Sequence, residues 1–222
     1  MYNGIDIHHV SARGWTPVFS LFGAEPCHQD SCEEYLELLS AESFNDFNAQ
    51  DGEGWSALHR AAAFGNANHV KSLILRGACP TVRTMKLAWT PIFCAVQFNN
   101  TSTFNELREL HSNFLTETDM RGWTLLHLAI NSKRLDIMRL LICLGADPHA
   151  RSSSTQLFIP NDLKGLSITP GGVASLRGAT VFSAYVDALV DNGHDIHIIE
   201  DEKEDTFDIF WPAFEEFTNA NL

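Results

Sequence analysis

Residues 51–80 read DGEGWSALHRAAAFGNANHVKSLILRGACP. Two helices and the punctuation between them are legible in this stretch. Ser56 is a natural helix N-cap, because its hydroxyl can accept from a free amide in the first turn. Leu58, Ala61 and Ala62 then recur on one helical face. Gly65-Asn66 breaks that helix, and Val70, Leu73 and Ile74 resume the helical spacing. Gly77 stands where the second helix needs a left-handed residue to end, a shape that glycine takes without steric cost.

The same sentence is written again along the chain. Residues 119–148 read DMRGWTLLHLAINSKRLDIMRLLICLGADP, with Thr124 as the cap, Leu126, Ala129 and Ile130 inward, Ile137, Leu140 and Leu141 on the second helix, and Gly145 as the stop. The unit between them keeps Thr90-Pro91, Ala95-Val96, Phe104, Leu107 and Leu110. Pro91 suits the first helical position, where its missing N–H is not missed. An earlier unit opens with Thr16-Pro17 and continues through Val18, Phe19 and Phe22 to an acidic helix with Tyr35, Leu36 and Leu39. A degenerate fifth unit opens at Ile168-Thr169-Pro170, where Gly171-Gly172 weakens the helix, and continues through Phe182, Tyr185, Val186 and Leu189 to Asn192-Gly193. Trp15, Trp55, Trp89 and Trp123 recur at intervals of 40, 34 and 34 residues. An interval in the low thirties with one local pattern marks a stacked repeat array, and such arrays are usually surfaces for holding another macromolecule.

These segments resemble ankyrin repeats. The family pattern of Gly-x-Thr-Pro-Leu-His-x-Ala-Ala, a short break, an apolar second helix and Gly-Ala-Asp-Pro is matched by Gly54–Ala62, Gly65-Asn66, Val70–Leu75 and Gly77–Pro80, and again by Gly122–Ile130 and Leu140–Pro148. Trp after the Gly and a degenerate last unit are similar to fungal members of the family. The resemblance implies an all-α solenoid of helix-turn-helix units joined by hairpin loops. It divides the chain into an ankyrin-repeat domain over 1–198, with units at about 12–50, 51–84, 85–118, 119–150 and 165–197, and a tail over 199–222. It further implies that the rings of His59 and His127 bond neighbouring backbone, a bond that Phe93 cannot make. Ala88 replaces the Gly before Trp89, so a less regular hairpin is expected between Arg83 and Leu87.

The family's groove positions map onto Glu53, Trp55, Ala63 and Phe64, onto Leu87, Trp89, Gln97 and Phe98, and onto Arg121, Trp123, Asn131 and Ser132. Trp15 extends the row. Aromatic anchors bury large areas and dominate binding energy at interfaces. The competing reading is that the tryptophans pack on each other, or on the tail, as an internal ladder.

Charge and cysteine usage bound the partners. A formal net charge of −13 argues against nucleic acid and anionic membranes, which need clustered Lys and Arg, and is compatible with a basic protein partner. The start of the chain shows no signal peptide, and no stretch has the roughly 18 apolar residues of a membrane span. Five cysteines without a CxxC pair read as free thiols in a reducing compartment, with Cys79, Cys94 and Cys143 buried in apolar segments; the expected location is cytoplasmic or nuclear. Cys27-His28 with Cys32 lacks a fourth zinc ligand, and His8-His9 and His194-x-x-His197 are pairs only, so no metal or other cofactor is expected. No GxSxG, HExxH, P-loop or GxGxxG motif is present, and no enzymatic activity is expected.

The tail over residues 200–222 combines eight acids with Phe207, Ile209, Phe210, Trp211, Phe214 and Phe217. It can cap the last repeat, dock on a partner, or lie in the protein's own groove. The expected function is a non-catalytic, monomeric scaffold or adaptor that grips a partner protein in its groove. The alternative is an effector or inhibitor that occludes a partner enzyme with this tail.

Overall fold

In the computed structural model the described residues are 9–22, 29–154, 164–165 and 167–194. They form ten helices and no strand, the nearest approach to a sheet being one antiparallel bridge between Gln50 and Ser56. The tail, most of the Ser-rich stretch before Ile168, Cys27 and His28 lie outside the described residues. The chain divides into two compact units, 1–112 and 113–222.

The first unit holds α1 (Pro17–Ser20), α2 (Gln29–Ala41), α3 (Ala57–Phe64), α4 (Ala67–Leu75), α5 (Pro91–Gln97) and α6 (Thr101–Leu110). They are three helical hairpins, and like packs on like: α3 against α5, α2 against α4, and α4 against α6. Most residues of the faces read from the sequence are buried, although Ile74 and Leu140 are only half-buried. Leu58, Ala61, Ala62, Val70, Leu73, Phe104 and Leu107 are all at most 1 % exposed. Leu36 and Leu39 are buried as expected, whereas Tyr35 and Leu110 point outward.

Polar bonds fasten one hairpin to the next. The Thr103 hydroxyl donates to the Ala62 carbonyl at 2.7 Å, and the Asn100 amide donates to the Gly65 carbonyl at 2.8 Å. Both reach the carbonyl ends of α3, which have no partner within that helix. Asn66 caps α4 by accepting from the His69 amide at 3.0 Å. Gly65 is required at the break because a Cβ there would meet the Ala61 carbonyl oxygen at 2.6 Å.

The second unit holds α7 (Leu125–Asn131), α8 (Leu135–Cys143), α9 (Pro170–Leu176) and α10 (Ala179–Asp191). Here α7 packs on α9 and α8 on α10. Leu126, Ala129, Ile130, Ile137, Leu141, Phe182, Tyr185 and Leu189 form its core. Helix α9 starts at Pro170 despite the two glycines, because the Thr169 hydroxyl accepts from the Gly172 amide at 3.2 Å.

The cysteine reading needs correction. Cys94 is fully buried, and burial pushes its thiol well above the usual range, but Cys79 is only half-buried and Cys143 is exposed on α8. Cys32 is disulfide-bonded rather than a free thiol.

Candidate functional site

The loops that carry the tryptophans are built by one device. In the first unit the Asp51 amide donates to the Trp55 carbonyl at 2.9 Å, and Asp51 Oδ1 accepts from the Glu53 and Trp55 amides at 2.9 Å each. In the second unit Asp119 does the same for Arg121 and Trp123. A short carboxylate closing its own loop in this way is a favoured turn chemistry. Between Thr84 and Trp89 the loop runs one residue longer, closed by the Thr84 amide on the Trp89 carbonyl and by the Thr84 hydroxyl under the Trp89 amide. Ala88 there takes φ +53°, the left-handed shape that Gly14, Gly54 and Gly122 take in the other loops. The irregularity expected at Ala88 is therefore present as an inserted residue and a strained alanine.

The two repeat histidines tie each loop to the preceding helix. His59 Nδ1 accepts from the Ser56 amide at 3.0 Å, which leaves the proton on Nε2, and Nε2 donates to the Trp89 carbonyl at 2.9 Å. His127 accepts from the Thr124 amide and donates to the Ile168 carbonyl at 3.0 Å. Both rings are 0 % exposed, and burial lowers each pKa to about 4. Phe93, in the equivalent position of the next repeat, instead stacks under Trp89 at 6.5 Å.

The predicted groove residues separate into three groups. Trp15, Glu53, Trp55, Phe64 and Phe98 converge on one cavity of about 650 Å³ in the first unit. Phe98 meets Phe64 at 4.7 Å and Trp55 at 6.4 Å, both edge to face. Phe98 is 42 % exposed, and Trp15, Trp55 and Phe64 are half-buried. Leu87, Trp89 and Gln97 are half-buried but do not line this cavity. Asn131 is engaged within the second unit, accepting from Arg177 at 2.8 and 3.0 Å.

Arg121 and Trp123 depart from the expectation of an open groove. Trp123 is 0 % exposed, and Arg121, at 5 %, covers its ring with the guanidinium 4.0 Å from the ring centre. Asp119 holds that guanidinium in a buried pair at 2.5 Å. Trp123 is thus a packing residue, sealed by a cation that its own loop carboxylate positions.

The cavity also recruits residues that the repeat pattern did not nominate: Arg13, Asp51, Gly52 and Arg60. Arg60 lies over Trp15 at 4.5 Å and donates from Nε to the Phe22 carbonyl at 3.0 Å. Burial works against its charge, and the nearby Asp51 carboxylate works for it. Two signals could have found the pair of arginines. Arg60 and Phe64 stand four apart on α3 and so share a face. Arg13 precedes Gly14 as Glu53 precedes Gly54 and as Arg121 precedes Gly122.

Among the described residues no three His, Cys, Asp or Glu side chains converge on a metal-sized point, and no helix is long and apolar enough to cross a membrane. The histidine pairs and Cys27-His28 fall partly or wholly outside those residues.

Comparison with known proteins agrees with the repeat geometry. Two family profiles match, both described as ankyrin repeats, one over residues 24–75 and one over 81–152. The human "Ankyrin repeat and SOCS box protein 3" is 30 % identical over 159 residues, covering 70 % of this chain and 30 % of that protein. Its Bos taurus counterpart is 29 % identical over the same length. "Alpha-latrotoxin-Lg1a" of the spider Latrodectus geometricus is 34 % identical over 95 residues, 43 % of this chain and 7 % of the toxin. The chain thus spans less than a third of the length of these relatives. All three are animal proteins, and the fungal flavour draws no support from them.

Proposed function

Since the chain belongs to the ankyrin-repeat proteins, we propose that it is a non-catalytic scaffold or adaptor that binds a partner protein at the aromatic cavity of its first unit. One observation carries the reading. Trp15, Trp55, Phe64 and Phe98 surround a common opening and stay partly exposed, although Phe19, Phe93 and Phe104 nearby are completely buried. Rings left half-open around a cavity lose hydration only when something else fills it, which is how binding hot spots gain their energy. The size falls in the roughly 300–1,000 Å³ range of ligand clefts, enough for one or two side chains of a partner.

At long range the net charge of −13 favours a basic partner. Inside the cavity the charges that no opposite group bonds, Arg13 and Arg60, have the other sign. An intracellular location rests on the free thiols of Cys79, Cys94 and Cys143, and the Cys32 disulfide speaks against it.

Affinity capture with the native chain beside a Trp55→Ala, Phe98→Ala double variant tests the site. Both side chains already face solvent in part, so the variant should melt within a few degrees of the native chain while losing the captured partner. A variant that keeps the melting temperature and still captures the same protein refutes the site. A large fall in melting temperature shows instead that these rings are packing residues.

A further inference from the structure

The cavity of the first unit holds two cations with no carboxylate partner among the described residues, Arg13 and Arg60. Neither neighbouring acid bonds these arginines. The Glu53 carboxylate is taken by Lys86 at 2.7 Å. Asp51 spends Oδ1 on two backbone amides, and its charge acts on Arg60 only through space. Arg60 is fixed on two sides, with its flat face on Trp15 and its Nε on the Phe22 carbonyl. A guanidinium has five N–H donors, so the two Nη groups keep four for a ligand. A planar fork held in place before binding loses little freedom when a carboxylate arrives.

We propose that this cavity binds an acidic side chain of a partner protein, an aspartate or glutamate next to a large apolar residue. Arg60 is the fork for the carboxylate, Arg13 adds charge at the rim, and Trp55, Phe64 and Phe98 receive the apolar neighbour. The assignment rests on the protein-recognition reading above and supplies the chemistry of its ligand. A lysine or arginine of the partner would instead meet two arginines that no carboxylate bonds, and like charges brought together exclude the wrong partner.

Fluorescence anisotropy of the full chain with labelled hexapeptides tests this. The probes are Ser-Gly-Glu-Phe-Gly-Ser and three relatives, with Gln or Lys for Glu, and with Ala for Phe. The Glu-Phe peptide should bind best, with Gln about tenfold or more weaker because the charge-assisted fork is lost. The Lys peptide should be weakest. Arg60→Gln should abolish the preference for Glu over Gln. Phe98→Ala should abolish the preference for Phe over Ala and leave the Glu preference intact, a split that a merely structural role would not produce. If Arg60→Gln lowers the melting temperature, Arg60→Lys keeps the charge and the stem but not the fork, and should still lose most of the discrimination. Equal affinity for Glu and Gln, a preference for Lys, or a Glu preference that survives Arg60→Gln overturns the assignment. So does the absence of binding by any peptide, in which case the capture experiment decides separately whether protein recognition stands.

Discussion

Acid should loosen this fold well before its carboxylates protonate, through His59 and His127. Each ring is fully buried, accepts from an N-cap amide at Nδ1 and donates to the next loop at Nε2. A second proton would turn the Nδ1 acceptor into a donor facing a donor, and would place a charge in the core. Burial lowers both pKa values from 6.5 to about 4. Between these values the unfolded chain binds more protons than the folded one, so stability rises with pH. The contribution is complete above about pH 6.5 and is lost as the pH falls towards 4. One pKa unit is worth about 1.4 kcal/mol, so the full loss is roughly 3 kcal/mol per histidine, more than half of it gone at pH 5. His59 acts on the first unit and His127 on the second.

Urea denaturation at pH 7.5 and pH 5.0 measures the effect. Glu33 and Glu53 do not confuse that window. A hydrogen bond from Ser72 depresses Glu33 and one from Lys86 depresses Glu53, so their contributions are lost only below the ordinary carboxylate value of 4.5. His69 is also depressed by burial and adds to the loss with the same sign. Replacing His59 and His127 by Gln removes both titrations and keeps a donor for the Trp89 or Ile168 carbonyl but not the acceptor at the Nδ1 position. The double variant should be less stable at pH 7.5 and should lose most of the pH slope. A double variant with the native slope refutes the reasoning, and so do ring titrations followed by NMR that place either histidine near 6.5.

Three further outcomes follow from local geometry. Ala88→Gly should stabilise the chain by about 1 kcal/mol in thermal unfolding, because Ala88 holds a left-handed φ of +53° at a cost glycine does not bear. Gly54→Ala should destabilise by more than that amount, since the new Cβ would meet the Met85 amide nitrogen at 2.6 Å. Thr103→Val should cost about 1–3 kcal/mol, because it leaves the buried Ala62 carbonyl without the hydroxyl that bridges α6 to α3.

Most of the repeat helices were legible because one end of each carries a mark. Ser56, Thr90, Thr124 and Thr169 precede helices α3, α5, α7 and α9, and Gly77 and Gly145 follow α4 and α8 with φ near +90°. Apolar residues between these marks repeat every three or four positions, and that periodicity alone decides which face is buried. Register along the repeats was equally plain and brought Trp15, Trp55, Phe64 and Phe98 to one cavity. Equivalence of register did not extend to exposure. Trp55 and Trp123 occupy the same loop position, but the residue two before each differs in sign, Glu53 in one case and Arg121 in the other. Glu53 turns outward to Lys86 and leaves Trp55 half-open. Arg121 turns back to Asp119 and closes over Trp123. A single-repeat pattern contains no term for that choice, which depends on the charge of one variable residue and on what stands within its reach.

The bond that makes the first unit stable also sets the loop beside its site. His59 stands on α3, the helix that carries Arg60 and Phe64, and its Nε2 holds the carbonyl of Trp89. The same α3 ring lies 6.0 Å from Trp55. One imidazole therefore connects α3, the cavity residue Trp55 and the opening of α5, the helix that Phe98 caps. If His59 is protonated, or replaced by a residue that cannot bridge, the register between α3 and α5 loses its polar pin and depends on apolar packing, which is non-directional. Binding should then weaken before the unit unfolds. Peptide affinity measured at pH 7.5, where the ring is neutral, would show it as weaker binding by His59→Gln than by the native chain, with circular dichroism showing that the variant is still folded. Native affinity in a folded His59→Gln chain would refute the link between this ring and the site.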